Sequence, residues 1–106
     1  MKDEAGSSSV RERALERVRN LLLEALDAED VRVYLFGSCA TGSSRGTSDI
    51  DVAVEPLHGS PTPPLAALRE RIEESDVPYD VDIVDLSTVS QAFAQRVRRE
   101  GVVWKG

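Results

Sequence analysis

Cysteine is nearly missing from this 106-residue chain: Cys39 stands alone. A single thiol closes no internal disulfide, which excludes a disulfide-stapled secreted scaffold and favours a cytoplasmic setting. Nothing beside Cys39 would lower a thiol pKa, so packing is its expected role. Histidine is as scarce. His58 has no second histidine to share a metal with, and it opens HGSPTPP, a connection rich in Pro and Gly where a surface residue is expected. Positive charge is in deficit, with 13 Lys and Arg against 19 Asp and Glu and a net charge of −6. That excludes broad, unaided binding to DNA or RNA, which needs a basic face. It leaves room for a phosphate-bearing small ligand held through metal ions. No apolar run reaches transmembrane length, no signal-peptide pattern opens the chain, and there is no repeat or low-complexity tract.

What remains is an ordinary globular composition, 41% hydrophobic and 30% charged, enough for one domain with a modest core. Residues 1–8 are polar and read as a frayed tail, leaving 9–106 as a single domain. Ser9-Val10-Arg11-Glu12 has capping-box spacing, and Val10, Ala14, Val18, Leu21, Leu22 and Ala25 follow at helical period. VRVYLF, Val31 to Phe36, is a strand ended by Gly37, and Asp49 to Glu55 is a second. Leu65, Leu68 and Ile72 line one face of a helix ending near Asp76, and Tyr79 to Leu86 is a third strand. Ser87 is placed to cap a last helix with Val89, Phe93 and Val97 on one stripe; Gly101 stops it, and Val102 to Trp104 add a short edge strand. Trp104 is a core plug or a piece of an interface, and Arg96, Arg98, Arg99 and Lys105 read as a solvated helix face. The order α-β-β-α-β-α-β predicts an α/β fold, a small mixed β-sheet with helices packed on it.

The chemistry concentrates in GSCATGSSRGTSDIDVAV, Gly37 to Val54. Side chains alternate along a strand, so Asp49, Asp51 and Ala53 share one face while Ile50, Val52 and Val54 turn to the core. Taken alone, the two aspartates would be a solvated strand start. On the third strand, Val81 and Ile83 suit the core, which puts Asp82, with Asp80 in the same phase, on the carboxylate face. Asp82 is the preferred third carboxylate. Asp85 falls on the other face, where it begins a turn and caps the next helix. Convergent carboxylates repel unless a cation lies between them. Oxygen-only ligands suit Mg²⁺, and two such ions about 3.5–4 Å apart serve in-line phosphoryl displacement. Gly37 lets backbone approach a phosphate, Ser38 offers a hydroxyl and an N–H, and Gly42 and Gly46 keep the following loop compact; Arg45 reads as a solvated loop residue.

Gly37-Ser38, ten residues, then Asp49-Ile50-Asp51, with Asp82 on a later strand, resembles the signature of the DNA polymerase beta nucleotidyltransferase superfamily. The resemblance runs from about residue 31 to the EGVVWK strand near residue 104, and the short chain looks like the minimal nucleotidyltransferases. It implies catalysis by Asp49, Asp51 and Asp82 as ligands of Mg²⁺, two ions with the nucleotide, and binding of the triphosphate at Gly37 and Ser38. It also implies transfer of AMP from ATP to an acceptor hydroxyl, with pyrophosphate released. Minimal members are often antitoxins of a helical HEPN partner, some attaching AMP to a tyrosine of that toxin. One departure is Cys39-Ala40-Thr41-Gly42, where the family often has a basic or aromatic residue and then Arg-Gly. It bears on nucleotide or partner contacts and not on the metal ligands. Two other readings stand beside this one: a nucleotidyltransferase acting on a small molecule, as aminoglycoside-modifying relatives do, and a non-catalytic module that neutralises a toxin by contact.

Overall fold

A computed structural model describes residues 6–37, 50–75, 77 and 79–106, with backbone alone for residues 6–11. The order is α1 (Gly6–Ala25), β1 (Val31–Phe36), β2 (Ile50–Pro56), α2 (Leu65–Glu73), β3 (Val81–Asp85), α3 (Gln91–Glu100) and β4 (Val102–Lys105). The strands form one mixed sheet in the order β3-β2-β1-β4. β1 runs antiparallel to both β2 and β4, while β2 and β3 are parallel and joined through α2. Among the described residues β3 and β4 are therefore its edge strands.

The period-two pattern sorts the side chains. Val31, Val33, Leu35, Ile50, Val52, Val54 and Ile83 point to one face. There they meet Ala14, Val18, Leu22 and Leu26 from α1 and its end, and Leu68 and Ile72 from α2. Val18, Leu22 and Leu26 are all but sealed from solvent, and full burial of such a side chain contributes about 1.5–3 kcal/mol. Trp104 packs partly buried against this core.

The opposite face carries a second, smaller core of Tyr34, Ala53, Leu86, Ala94 and Val97, made by α3 lying on the middle of the sheet. Tyr34 donates its hydroxyl to Glu55 at 2.8 Å, and the Arg98 guanidinium holds the same carboxylate, Nη2 to Oε2, at 2.6 Å. Burial raises the Glu55 pKa, but the hydrogen bonds from Arg98 and Tyr34 outweigh it and hold the group below its ordinary value. Burial first, and then the Glu55 bond, push the Tyr34 phenol upward. Arg98 therefore ties α3 to the sheet, although its side chain remains exposed to solvent. Arg96 pairs with Glu100 one turn on, and Lys105 donates to the carbonyls of Glu29 and Val31.

Two expected helix starts move. α1 begins at Gly6, so Ser9 lies inside the helix, and Gly6 to Ser8 are helical where composition suggested a tail. The S-x-x-E spacing also fits within a helical turn, so spacing alone does not locate a cap. The cap of α3 is Ser90, whose side chain accepts from the Phe93 N–H at 3.2 Å, and not Ser87. Ser87 instead gives its N–H and its hydroxyl to Asp85, closing a turn at the end of β3. Gly101 ends α3 as expected, its N–H bonded to the Val97 carbonyl.

Candidate functional site

α3 covers only part of its face, and the end of that face beyond α3 carries the acids. Across three strands, Phe36, Asp51 and Asp82 stand in one row, Asp51 being the register partner of both others. Neighbouring strands lie about 4.8 Å apart, so the carboxylates of Asp51 and Asp82 rise side by side from one face. Asp51 is half-buried and Asp82 exposed. Toward the middle of the sheet, the next row holds Tyr34 and Ala53, sealed under α3. Phe36 meets Phe93 of α3 edge to face, centroids 5.6 Å apart, and this pair bounds the acidic end.

Gly37 follows directly. Its φ is +79°, and a Cβ there would meet Asp51 Oδ2 at 2.5 Å. The turn thus needs glycine twice over, for the left-handed backbone and for the close approach. Ser38 and Asp49 lie outside the described residues, as do Cys39, Gly42, Arg45 and Gly46. Of the predicted site, the structure brings together Gly37, Asp51 and Asp82. The register selects Asp82 over Asp80 as the partner of Asp51. Asp80 precedes β3, and its carbonyl accepts the Ile50 N–H at 2.8 Å. Asp85 pairs in register with Val54, away from the row. Burial raises its pKa, but bonds from Ser87 and Thr62 prevail and hold it low. His58 is a surface residue, its Nδ1 2.8 Å from Asp30 Oδ2, and that bond leads the lowering of the Asp30 pKa.

Among the described residues no three of His, Cys, Asp and Glu form a metal-binding group. Asp51 and Asp82 supply two adjacent carboxylates of the hard-oxygen kind that Mg²⁺ prefers, with Asp49 preceding β2 in the chain. The donor chemistry therefore fits such an ion.

A cavity of about 550 Å³ opens beside the pair, lined by Asp51, Asp82, Asp80 and Val81 and, from α2, by Arg69 and Glu73. The contribution of α2 was not legible in the sequence. Arg69 and Glu73 occupy polar helix positions like many others, and only the seating of α2 against β3 brings them here.

A mixed four-stranded sheet with a glycine turn at the end of β1, facing aspartates on β2 and β3, is the frame of a nucleotidyltransferase core. Residues 23–104 match the model of the family described as Polymerase beta, Nucleotidyltransferase, and the chain belongs to that family. It is 37% identical over 76 residues to the "Probable protein adenylyltransferase MntA" of Haemophilus influenzae, a match covering 70% of this chain and 65% of that protein. The aligned part is thus a little under two thirds of that relative's length. A crystal structure of a toxin-antitoxin with AMP-PNP is similar at 30% identity and a TM-score of 0.64, over 83% of this chain and 73% of that one. A structure of the toxin-antitoxin MntA-HepT is similar at 27% identity and a TM-score of 0.58, over 86% and 72%.

Proposed function

We propose that this chain is an Mg²⁺-dependent enzyme that transfers AMP from ATP to a hydroxyl of a HEPN-type toxin, and so acts as its antitoxin in the cytoplasm. The observation that carries the reading is the direct pairing of Asp51 with Asp82 beside Gly37. The names of the relatives, a protein adenylyltransferase and antitoxins crystallised with their toxins, one of them with AMP-PNP, support it.

In this reading Asp49, Asp51 and Asp82 hold Mg²⁺, which when bound lowers the cost of charge on the attacking and leaving oxygens. Gly37 keeps the space over Asp51 clear, so backbone can approach the triphosphate, and Ser38 binds a phosphate. Asp82, the exposed member of the pair, accepts the proton of the acceptor hydroxyl. Asp51, half-buried and fixed by β1 on one side and β3 on the other, keeps its geometry through the reaction. Phe36 and Phe93 exclude water from the α3 side.

The test is a transfer assay with α-labelled ATP and Mg²⁺, with and without the HEPN-type protein encoded beside this chain. Label on the partner that disappears with Asp51→Asn supports the reading. A tight complex that takes no label from any NTP overturns it in favour of the contact-only module. Label on an aminoglycoside but not on protein would favour the small-molecule reading.

A further inference from the structure

The acidic row is bounded differently on its two sides. On the β1 side stands Gly37, tight against Asp51. On the β3 side the sheet ends, and the cavity of about 550 Å³ opens over that edge, from Asp82 past Val81 to Glu73 of α2. In-line displacement at phosphorus needs the attacking and leaving oxygens on opposite sides. With the triphosphate held on the Gly37 side, the attacking hydroxyl arrives from the β3 side, where the cavity lies.

The lining says what kind of molecule brings that hydroxyl. Arg69 is the single cation among the described lining residues, and its Nη2 donates to the Ile83 carbonyl at 2.7 Å. Glu73 and Asp80 are exposed at the rim, and neither carboxylate has an ion-pair or hydrogen-bond partner among the described residues. Beyond the row that would hold metal, the described walls carry two carboxylates, Glu73 and Asp80, against the one guanidinium of Arg69, and so a net negative charge. Such walls repel a second phosphate-rich molecule and favour a cation. Val81, on the edge strand, borders the same space, so an extended backbone can lie along it.

We propose that this cavity is the acceptor subsite and takes an extended protein segment with Lys or Arg beside the accepting hydroxyl, Glu73 and Asp80 reading that positive charge. The inference rests on the transfer reading above. In the step itself, the acceptor oxygen forms a bond to the α-phosphorus while the bond from that phosphorus to the pyrophosphate oxygen breaks. The hydroxyl proton passes to Asp82 and then to water, and pyrophosphate leaves on the Gly37 side. Glu73 and Asp80 touch no reacting atom and act on affinity.

The test uses the whole chain, α-labelled ATP, and two synthetic tyrosine peptides, one flanked by arginines and one by glutamates, beside the HEPN-type partner. The wild type should label the arginine-flanked peptide with a kcat/KM about tenfold higher. In Glu73→Gln with Asp80→Asn, the KM for that peptide should rise about tenfold and the preference vanish, while the KM for ATP holds. Lysine at both positions should reverse the preference. A double amide variant that keeps both the peptide KM and the preference overturns the subsite and leaves nucleotidyl transfer standing. A wild type that labels neither peptide nor partner overturns the transfer reading and the subsite with it. Thermal unfolding of each variant separates a lost charge contact from a lost fold.

Discussion

Asp51 and Asp82 are register partners on parallel strands that are far apart in the chain, and each comes to the row by a different route. Asp51 is set by the β1–β2 hairpin, whose partner at that level is Phe36. Asp82 is set by the crossover through α2. Because both side chains rise from one face, removing either charge should act on chemistry before it acts on folding. Asp82→Asn should reduce label transfer about 100- to 10,000-fold, the range for loss of a general base. Its stability should stay within about 0.5 kcal/mol, since the side chain is exposed. Urea unfolding beside the transfer assay checks both. A variant that transfers at the wild-type rate removes Asp82 from the mechanism.

Gly37→Ala should cost both stability and activity. A left-handed backbone costs an alanine about 1–2 kcal/mol, and the new methyl would press on Asp51 Oδ2. Displacing that oxygen disturbs whatever the carboxylate holds. The expected result is a lowered urea midpoint, together with weaker retention of Mg²⁺ and ATP by isothermal calorimetry. Unchanged nucleotide affinity would separate Gly37 from the site.

The Tyr34–Glu55–Arg98 cluster makes the seat of α3 sensitive to acid. The Glu55 pKa lies below its ordinary 4.5 when folded, so the unfolded chain takes up that proton at the higher pH. The stabilisation is full above about 4.5 and is lost as pH falls through the lower folded value. Arg98→Ala should therefore destabilise the protein more at pH 7 than at pH 3. Tyr34→Phe, which removes one hydrogen bond to Glu55, should cost about 1 kcal/mol at neutral pH. Denaturant titrations at the two pH values decide. An Arg98→Ala penalty independent of pH would mean that its methylenes matter and its charge does not.

The start of α3 offers a sharper test of local structure. Ser90→Ala removes the side chain that accepts from the Phe93 N–H. It should cost about 1 kcal/mol, or about 4–8 °C in Tm for a domain near this size. Differential scanning calorimetry reads this directly, and an unchanged Tm would show that the last helix does not depend on its cap.

Much of this geometry was legible because period-two alternation constrains a strand so tightly. Once Ile50, Val52, Val81 and Ile83 are assigned to a core, Asp51 and Asp82 have one face left to them. Ala53 shows the limit. It shares the face of Asp51, yet it is wholly buried, because α3 lies on that side. Alternation tells which face a residue takes, not what covers the face. The same limit hid Arg98, whose partner Glu55 is distant in sequence. It also hid Arg69 and Glu73, which border the cavity only through the seating of α2 against β3. The true cap of α3 was missed for a different reason: Ser87 and Ser90 are chemically alike, and the turn at Asp85 claims the first.

The strand order also bears on how quickly the protein becomes competent after synthesis. Phe36 meets Asp51 across a hairpin, whereas Asp51 meets Asp82 only after about twice that length of chain has been closed through α2. Loop closure costs more entropy as the loop lengthens, and non-local parallel pairing is slow. The Gly37–Asp51 half should therefore form ahead of the Asp82 half, and a φ-value scan should give higher values in β1 and β2 than in β3. An intermediate built from the hairpin and α1 alone would hold the glycine turn against one carboxylate with no second one opposite. The pairing of β3 would then be the step that sets the second carboxylate beside the first, so a chain still short of β3 should be inert toward nucleotide transfer.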